Sequence, residues 1–267
     1  MQEFSLLTVI LDLIPAEKYN EDHTNIINSL ITFIQAYTGS HSQNVLGLLG
    51  ATCDTSKWLF NSRQIDMESQ YRILQIRDEL TKNIESLIAD ISENLMEKDI
   101  IGFSRITSAL CKSLCFHNVE KLKAKEKIQS RILILSTSDF DTSQYIDTMN
   151  CIFSAQKDNI VIDVCRLGKT DSSFLKQAAS LSGGIYLKCN QESLLLNLMT
   201  HFFPDNLTRT NLITPVVDNV DFRTTCVCHQ KVIDLGYICS VCLTVYCSFV
   251  PICHNCRTKF SFDKKRL

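Results

Sequence analysis

The cysteines near the C-terminus place the strongest constraint on how this chain can fold. Seven of the thirteen cysteines lie in the last forty-two residues, and four of them form the pattern Cys239-x2-Cys242-x10-Cys253-x2-Cys256. A CxxC pair supplies two thiolates to a tetrahedral zinc ion, and two such pairs complete a closed structural site. A segment this short builds little hydrophobic core and needs a staple of this kind. We therefore predict one structural zinc ion held by these four cysteines.

The same segment contains ligands that a single ion does not need. Three further cysteines lie there, Cys226, Cys228 and Cys247, together with two histidines, His229 and His254. This number of ligands could serve two zinc ions, as in a RING. A RING normally opens with CxxC and spans a longer segment, whereas here the first pair is CxC and the cluster spans thirty-one residues. One ion is the prediction, and a site in which the CxC pair joins the first CxxC pair is the alternative.

The remaining six cysteines are scattered among apolar residues: Cys53, Cys111, Cys115, Cys151, Cys165 and Cys189. The chain shows no secretory signal, so a reducing compartment is expected, where clustered cysteines bind metal and isolated ones are buried as small apolar side chains. The N-terminal apolar run is too short and too charged to be a signal peptide or a membrane span.

Before residue 204, apolar runs of strand length alternate with segments of helical periodicity. Strands are predicted at Leu6–Leu13, Asn44–Gly50, Lys57–Phe60, Arg131–Thr137, Asn159–Cys165 and Ile185–Cys189. Helices are predicted at 22–37, 68–97, Ser104–Phe116, Asp141–Ala155, Ser172–Leu181 and Glu192–Phe203. Repeated βα units of this size predict an α/β fold, a mostly parallel sheet with helices on both faces.

Composition changes after residue 203 and suggests a domain boundary. Pro204 and Pro215 flank a polar, helix-poor stretch, so we predict a sheet domain at 1–203, a linker at 204–225, a zinc module at 226–262 and a short basic tail at 263–267. A net charge of −2 gives no general attraction to nucleic acid. The lysines and arginine between 121 and 131 (Lys121, Lys123, Lys125, Lys127 and Arg131) are interspersed with glutamates, which is typical of a solvated helix end.

Two sequence patterns resemble ligand sites but are incomplete. Asp12 ends the first predicted strand, where a von Willebrand factor A (vWA) domain begins its DxSxS metal motif. The residues that follow, LIPA, lack both hydroxyls, and Asp139 alone would not complete a magnesium site, so no magnesium is predicted. Gly168-Lys169-Thr170 matches the end of a P-loop, but Asp163 occupies the position of the first glycine. No catalytic motif is present.

The chain nevertheless resembles one known family, the 34-kilodalton-type subunit of the general transcription factor TFIIH. The resemblance lies in both predicted domains: LLTVILD (6–12), MNCIFSAQKDNIVIDVC (149–165), GGIYLK (183–188) and CVCHQKVIDLGYICSVCLTVYCSFVPICHNC (226–256). The broken motif at Asp12 agrees with it, because the family lacks a functional metal-adhesion site. Relatives can carry a longer lysine-rich end than the Lys264, Lys265 and Arg266 found here.

The resemblance implies a vWA-like fold and a nuclear, non-enzymatic scaffold of the TFIIH core, serving transcription initiation and nucleotide excision repair. It also implies that the vWA domain binds a larger vWA and RING-containing subunit, with no membrane and at most a secondary contact to nucleic acid. The alternatives are a RING-like ubiquitin ligase, for which two zinc ions per chain are expected, and a direct DNA-binding protein, for which a steep salt dependence is expected.

Overall fold

The structure is a computed structural model. It describes residues 4–12, 23–41, 43–52, 55–64, 72–98, 104–123, 128–138, 144–168, 170–215, 220–224, 226–229 and 232–260. Among these residues, no helix is both long enough and apolar enough to span a bilayer.

A six-stranded sheet forms the centre of the larger domain. In chain order its strands are β1 (Phe4–Asp12), β2 (Val45–Ala51), β3 (Ser56–Asn61), β4 (Ile128–Ser136), β5 (Val161–Arg166) and β6 (Tyr186–Lys188). The spatial order is β3-β2-β1-β4-β5-β6, and all neighbours are parallel except β2 and β3, which are antiparallel.

The central strands are apolar on both faces, as expected for a parallel sheet covered by helices. Because successive side chains of a strand point to opposite faces, alternate residues enter different cores. In β1, Val9 faces one core and Ile10 faces the other. In β4, Leu133 and Ile134 divide in the same way.

In the described part of the chain, six helices cover the two faces: α1 (His23–Ser40), α2 (Arg72–Lys98), α3 (Ile106–Lys123), α4 (Tyr145–Lys157), α5 (Ser173–Ser182) and α6 (Leu194–Asn197). Helices α1, α2 and α6 supply apolar side chains to the core that contains Val9, and α3, α4 and α5 supply those of the core that contains Ile10. The predicted α/β class, a mostly parallel sheet with helices on both faces, is confirmed.

The chain continues beyond α6 in one π-helical turn (Leu198–Phe202) and a short helix, α7 (Asn206–Arg209), inside the predicted linker. Arg131 lies in β4, almost fully buried, and donates hydrogen bonds to the carbonyl oxygens of Phe202 (3.2 Å) and Pro204 (2.6 Å). The expectation that Arg131 belongs to a solvated basic cluster is therefore wrong. Its guanidinium instead ties the chain after α6 to the sheet. Lys125 and Lys127 lie outside the described residues.

The cysteine-rich segment contains a two-stranded antiparallel ribbon of β7 (Tyr237–Ile238) and β8 (Val245–Tyr246). An isolated antiparallel bridge joins Ile252 to Lys259. The basic tail lies outside the described residues. Because these elements are short, cysteine side chains account for much of the buried interior of this region.

Candidate metal centres

The two CxxC pairs converge on one point. The sulfur atoms of Cys239, Cys242, Cys253 and Cys256 all lie within 4.8 Å of one another. Cys239 Sγ is 3.6 Å from Cys256 Sγ, and Cys242 Sγ is 3.5 Å from Cys253 Sγ. Four thiolates around a zinc ion at about 2.3 Å would be separated by roughly 3.8 Å, whereas a disulfide requires about 2.05 Å. These separations fit a tetrahedral thiolate site and are too long for disulfides.

Both pairs lie in loops with the same backbone pattern. In the first loop, the Leu243 amide donates to the Cys239 carbonyl, and the Cys239 amide donates to the Thr244 carbonyl, both at 2.9 Å. The second loop repeats both bonds at 2.9 Å, from Arg257 to Cys253 and from Cys253 to Thr258. The two halves of the site are therefore built alike.

The similarity extends to strained positions and to side chains. Leu243 and Arg257, the fifth residue of each loop, both have φ of 59°, a left-handed conformation that is uncommon for residues other than glycine. The next residue places a threonine hydroxyl against the second cysteine of the pair, with Cys242 Sγ 3.0 Å from Thr244 Oγ1 and Cys256 Sγ 3.1 Å from Thr258 Oγ1. Such repeated strain at one cluster indicates a functional constraint on both loops.

The surroundings favour the thiolate form of Cys253. Burial opposes ionisation of this thiol, but hydrogen bonds from the Cys256 amide and the Tyr246 hydroxyl bring its pKa down to about 6. The Tyr246 oxygen is 3.2 Å from Cys253 Sγ and accepts a bond from the His254 amide at 3.0 Å. Four thiol groups this closely spaced suit a structural ion with no open coordination position.

The three cysteines outside the CxxC pairs do not group in the fold as their order in the sequence suggests. Cys226 and Cys247 come together with His229, and the two sulfur atoms and Nδ1 lie within 4.8 Å of one another. Cys228 is exposed and does not belong to this group. The CxC pair, considered as one unit in the sequence, is therefore divided in the fold. The signal that sequence reasoning missed is Cys226-x2-His229, the spacing of a CxxC pair with histidine as its second member.

Asp12 ends β1 in a fully buried position, and other segments supply its hydroxyl partners. Its Oδ2 accepts hydrogen bonds from Ser136 Oγ at 3.0 Å and Ser138 Oγ at 2.5 Å. Burial raises the pKa of Asp12, and the serine hydroxyls oppose that shift. The rest of the DxSxS-like stretch, residues 13–16, lies outside the described residues, as does Asp139.

A guanidinium group lies beside Ser136 and Ser138. Arg166 ends β5, is almost fully buried, and its Nη1 donates to Ser136 Oγ at 3.0 Å and to the Ser138 carbonyl. A magnesium ion requires an octahedral set of oxygen ligands without an adjacent fixed cation. Because a positive side chain is bonded to the same serines that hold Asp12, the described residues do not fit the magnesium site that the vWA fold family implies.

The P-loop-like segment has a structural explanation. Asp163 is buried and forms a bidentate pair with Arg209 of α7, with Nη1 to Oδ1 at 2.9 Å and Nη2 to Oδ2 at 2.7 Å. Gly168 allows the chain to pass close to Arg166, because a Cβ at this position would stand 2.5 Å from the guanidinium carbon. Asp163 thus neutralises the charge of Arg209, and Gly168 leaves room for the guanidinium group of Arg166. Lys169 lies outside the described residues.

The prediction for the scattered cysteines holds only in part. Cys151, Cys165 and Cys189 are buried, as expected. Cys111 and Cys115 are exposed, so the expectation of burial is wrong for them. They lie on the side of α3 that lines a cleft against α4, beyond the apolar stripe that packs on the sheet. Cys53 lies outside the described residues.

Comparisons with known proteins cover both regions of the chain. The family model "Transcription factor Tfb4" matches residues 4–257. The chain is 36% identical over 274 residues to "General transcription and DNA repair factor IIH subunit tfb4" of Schizosaccharomyces pombe, covering 97% of this chain and 90% of that protein. It is 36% identical over 252 residues to "General transcription factor IIH subunit 3" of Dictyostelium discoideum, covering 88% and 67%.

A solved structure supports the same relationship for the sheet domain. The crystal structure of the TFIIH p34 N-terminal domain superposes with a TM-score of 0.61 at 26% sequence identity, covering 73% of this chain and 96% of that one. The α/β sheet, with its antiparallel edge strand and helices on both faces, is thus vWA-like, as the family resemblance implied.

Proposed function

Because the chain belongs to the transcription factor Tfb4 family, we propose that it is a non-catalytic scaffold subunit of the TFIIH core, acting in RNA polymerase II transcription initiation and nucleotide excision repair. The observation that carries this proposal is the match of the family model across residues 4–257, which takes in both the sheet and the cysteine-rich segment. A likeness confined to the sheet would be weaker, because vWA-like sheets serve many functions.

The domain division and the metal are part of the same proposal. A sheet domain at 1–203 and a linker at 204–225 precede a module at 226–262, in which Cys239, Cys242, Cys253 and Cys256 hold one structural zinc ion. The sulfur separations of 3.5 and 3.6 Å and the repeated loop geometry support zinc, since four thiolates in tetrahedral array suit this metal. The ion would fix the shape of the module and take no part in chemistry.

The surface of the module supports a role in binding protein. Large apolar side chains are exposed along much of it: Val227, Val232, Leu235, Tyr237, Ile238, Val241, Leu243, Phe249 and Ile252. Leu235 is 82% exposed and Leu243 65%. A concentration of exposed apolar groups in so small a region is typical of a surface that another protein covers. It is a poor surface for DNA, which requires positive charge.

We also propose that the chain is not a catalyst, because its buried carboxylates are engaged by neighbouring side chains. Asp12 is held by two serines beside Arg166, and Asp163 is paired with Arg209. Each of these buried carboxylates thus has a structural partner instead of a position facing a substrate cleft. The partners we propose are other TFIIH core subunits, chiefly the larger vWA and RING-containing subunit through the sheet domain, in the nucleus.

The test is co-purification of the tagged full chain from its source cells, comparing the wild type with a Leu235→Asp, Leu243→Asn double variant. Asparagine tolerates the left-handed backbone at position 243, so the change removes an apolar group without adding strain. We expect zinc content to stay normal while recovery of TFIIH subunits falls. Leu235→Met with Leu243→Met, which keeps both positions apolar, is the matched control and should recover them fully.

The proposal would be contradicted if the wild type and the control both failed to recover TFIIH subunits. Equal recovery by the double variant would contradict the apolar surface as the docking site. The comparisons give no support to either alternative, the RING-like ubiquitin ligase or the direct DNA-binding protein.

A further inference from the structure

A second group of metal-ligating side chains stands beside the four-cysteine site. His229 Nδ1 lies 3.2 Å from Cys247 Sγ and 3.6 Å from Cys226 Sγ. Two thiolates and one imidazole around a zinc ion at about 2.3 and 2.0–2.1 Å would stand roughly 3.6 Å apart. Both nitrogen–sulfur distances are close to this value, and the two sulfur atoms lie within 4.8 Å of each other, so the three atoms fit a common ion.

No single hydrogen bond to His229 accounts for this convergence. One Nδ1 atom either donates one proton or offers one lone pair, so it can satisfy only one of the two sulfur atoms that approach it. The backbone also presents Cys226 as a ligand, since the His229 amide donates to Cys226 Sγ at 3.3 Å. The four-cysteine site contains the same feature, a bond from the Cys256 amide to Cys253 Sγ at 3.5 Å. Cys226 and His229 thus have the geometry of a CxxC loop.

The fold fixes the two parts of this group against each other. The Val227 amide donates to the Val245 carbonyl at 3.0 Å, which joins the turn at 226–229 to β8. Cys247 follows directly after β8, so the same strand holds it opposite the turn. Cys226 is only 1% exposed, although the core of the module has few apolar members. A buried thiol held next to a second thiol and an imidazole is a typical metal-binding environment.

We propose that Cys226, His229 and Cys247 hold a second zinc ion, distinct from that of the four-cysteine site, with the fourth coordination position open to solvent. Cys228 is not a ligand, because its exposed thiol lies outside the group. An open position allows faster exchange and easier chelation than a closed site does. The open side is the one at which His229 is exposed.

Two consequences follow for the module. The ligands of the two sites alternate along the chain: the turn at 226–229, then the first CxxC pair, then Cys247, then the second CxxC pair. Each ion therefore joins segments that are separated by ligands of the other. Two ions per chain would also no longer indicate a ubiquitin ligase, so the identity of the ligands replaces the count as the distinguishing observation.

Native mass spectrometry of the full chain, after equilibration with zinc, tests the proposal. We expect two ions on the wild type, and one on His229→Ala and on Cys247→Ser. His229 is exposed, so its replacement should leave the fold intact. Cys228→Ser is the matched control, an adjacent thiol outside the group, and should retain two ions. A mild chelator should remove one ion from the wild type and the control, and none from His229→Ala.

One ion on the wild type, two on His229→Ala, or one on Cys228→Ser would each overturn the proposed ligand set. Cobalt substitution provides an independent readout. The second equivalent of cobalt should add a spectrum of a site with two thiolates and one nitrogen, unlike that of the four-thiolate site, and His229→Ala should lack it. Identical spectra for both equivalents would also overturn the proposal.

Discussion

In the sheet domain, apolar side chains from three helices on each face pack against β1 and β4. In the described part of the cysteine-rich module, the buried cluster has only three members, Cys239, Tyr246 and Cys253. Two of those three residues are candidate metal ligands. The first region can bury enough apolar area to fold by the hydrophobic effect, and the second is too small to do so. With the proposed zinc in the module, one chain uses two sources of stability, and each should respond to a different perturbation.

Removal of zinc should separate the two regions most strongly. Structural zinc contributes apparent binding free energies of about 10–16 kcal/mol in small zinc-finger peptides, and here that free energy would be folding free energy of the module. We expect chelation to abolish hydrogen-exchange protection across residues 232–260 and to leave the strands β1 to β6 protected. Readdition of zinc should restore the module. Loss of protection in the sheet at the same chelator concentration would show that the two regions fold as one.

Breaking the Asp163–Arg209 pair should affect the sheet domain and spare the module. The two side chains are 1% and 9% exposed, so Arg209→Met leaves a buried carboxylate without its counter-charge, at a cost of about 3–5 kcal/mol in the free energy of unfolding. Urea unfolding followed by the fluorescence of Trp58, the single tryptophan, would measure it.

Two further variants sharpen that measurement. Arg223→Met removes an exposed arginine that pairs with Asp221 and Asp234, and should change stability far less. Adding Asp163→Asn to Arg209→Met removes the unpaired charge and should recover much of the loss. An unchanged unfolding midpoint for Arg209→Met would mean that α7 does not contribute to the sheet domain.

A pH effect should also be specific to the sheet domain. His117 is fully buried, and its Nε2 lies 2.9 Å from Thr8 Oγ1. Burial, with a smaller effect of the Lys121 charge, lowers its pKa to about 3. The unfolded chain binds a proton at this histidine below about pH 6.5 and the folded chain does not, so its contribution is present above about pH 6.5 and is lost as the pH falls toward about 3.

The expected loss from this histidine is about 1 kcal/mol between about pH 6.5 and about pH 5.5, and it approaches about 1.4 kcal/mol per pH unit at lower pH. Unfolding of His117→Gln at about pH 6.5 and about pH 5.5, compared with the wild type, isolates it from other titrating groups. The wild type should lose more stability than the variant over this interval. Equal losses would show that His117 is protonated in the folded protein.

Local patterns in the sequence were sufficient for much of the fold. The apolar run at 6–13 predicted β1 because a strand covered on both faces has no polar side to display. The CxxC spacing predicted the four-cysteine cluster because the two members of each pair are close in sequence. Contacts between distant segments were not accessible in this way. Ser136 and Ser138 reach Asp12 from another part of the chain, so the loss of hydroxyls after Asp12 did not reveal its actual environment.

Charged and polar residues were the other source of error. Arg131 was expected in solvent because it follows a run of lysines, yet backbone carbonyls from residues 202 and 204 compensate its burial. The pairing of Cys226 with His229 was obscured by Cys228, which makes a closer cysteine pair in sequence. The convergence of Cys226 and His229 on Cys247, together with the exposure of Cys228, separates the two possibilities in the folded module.

The close approach of Gly168 to Arg166 has a consequence for how this sequence can diverge. Arg166 is held by several hydrogen bonds and cannot easily move aside, so any side chain at position 168 would collide with it. A lineage could replace this glycine only after the arginine had shortened, and the reverse order would pass through a defective intermediate. In relatives, we expect the two positions to change together, with the arginine lost first.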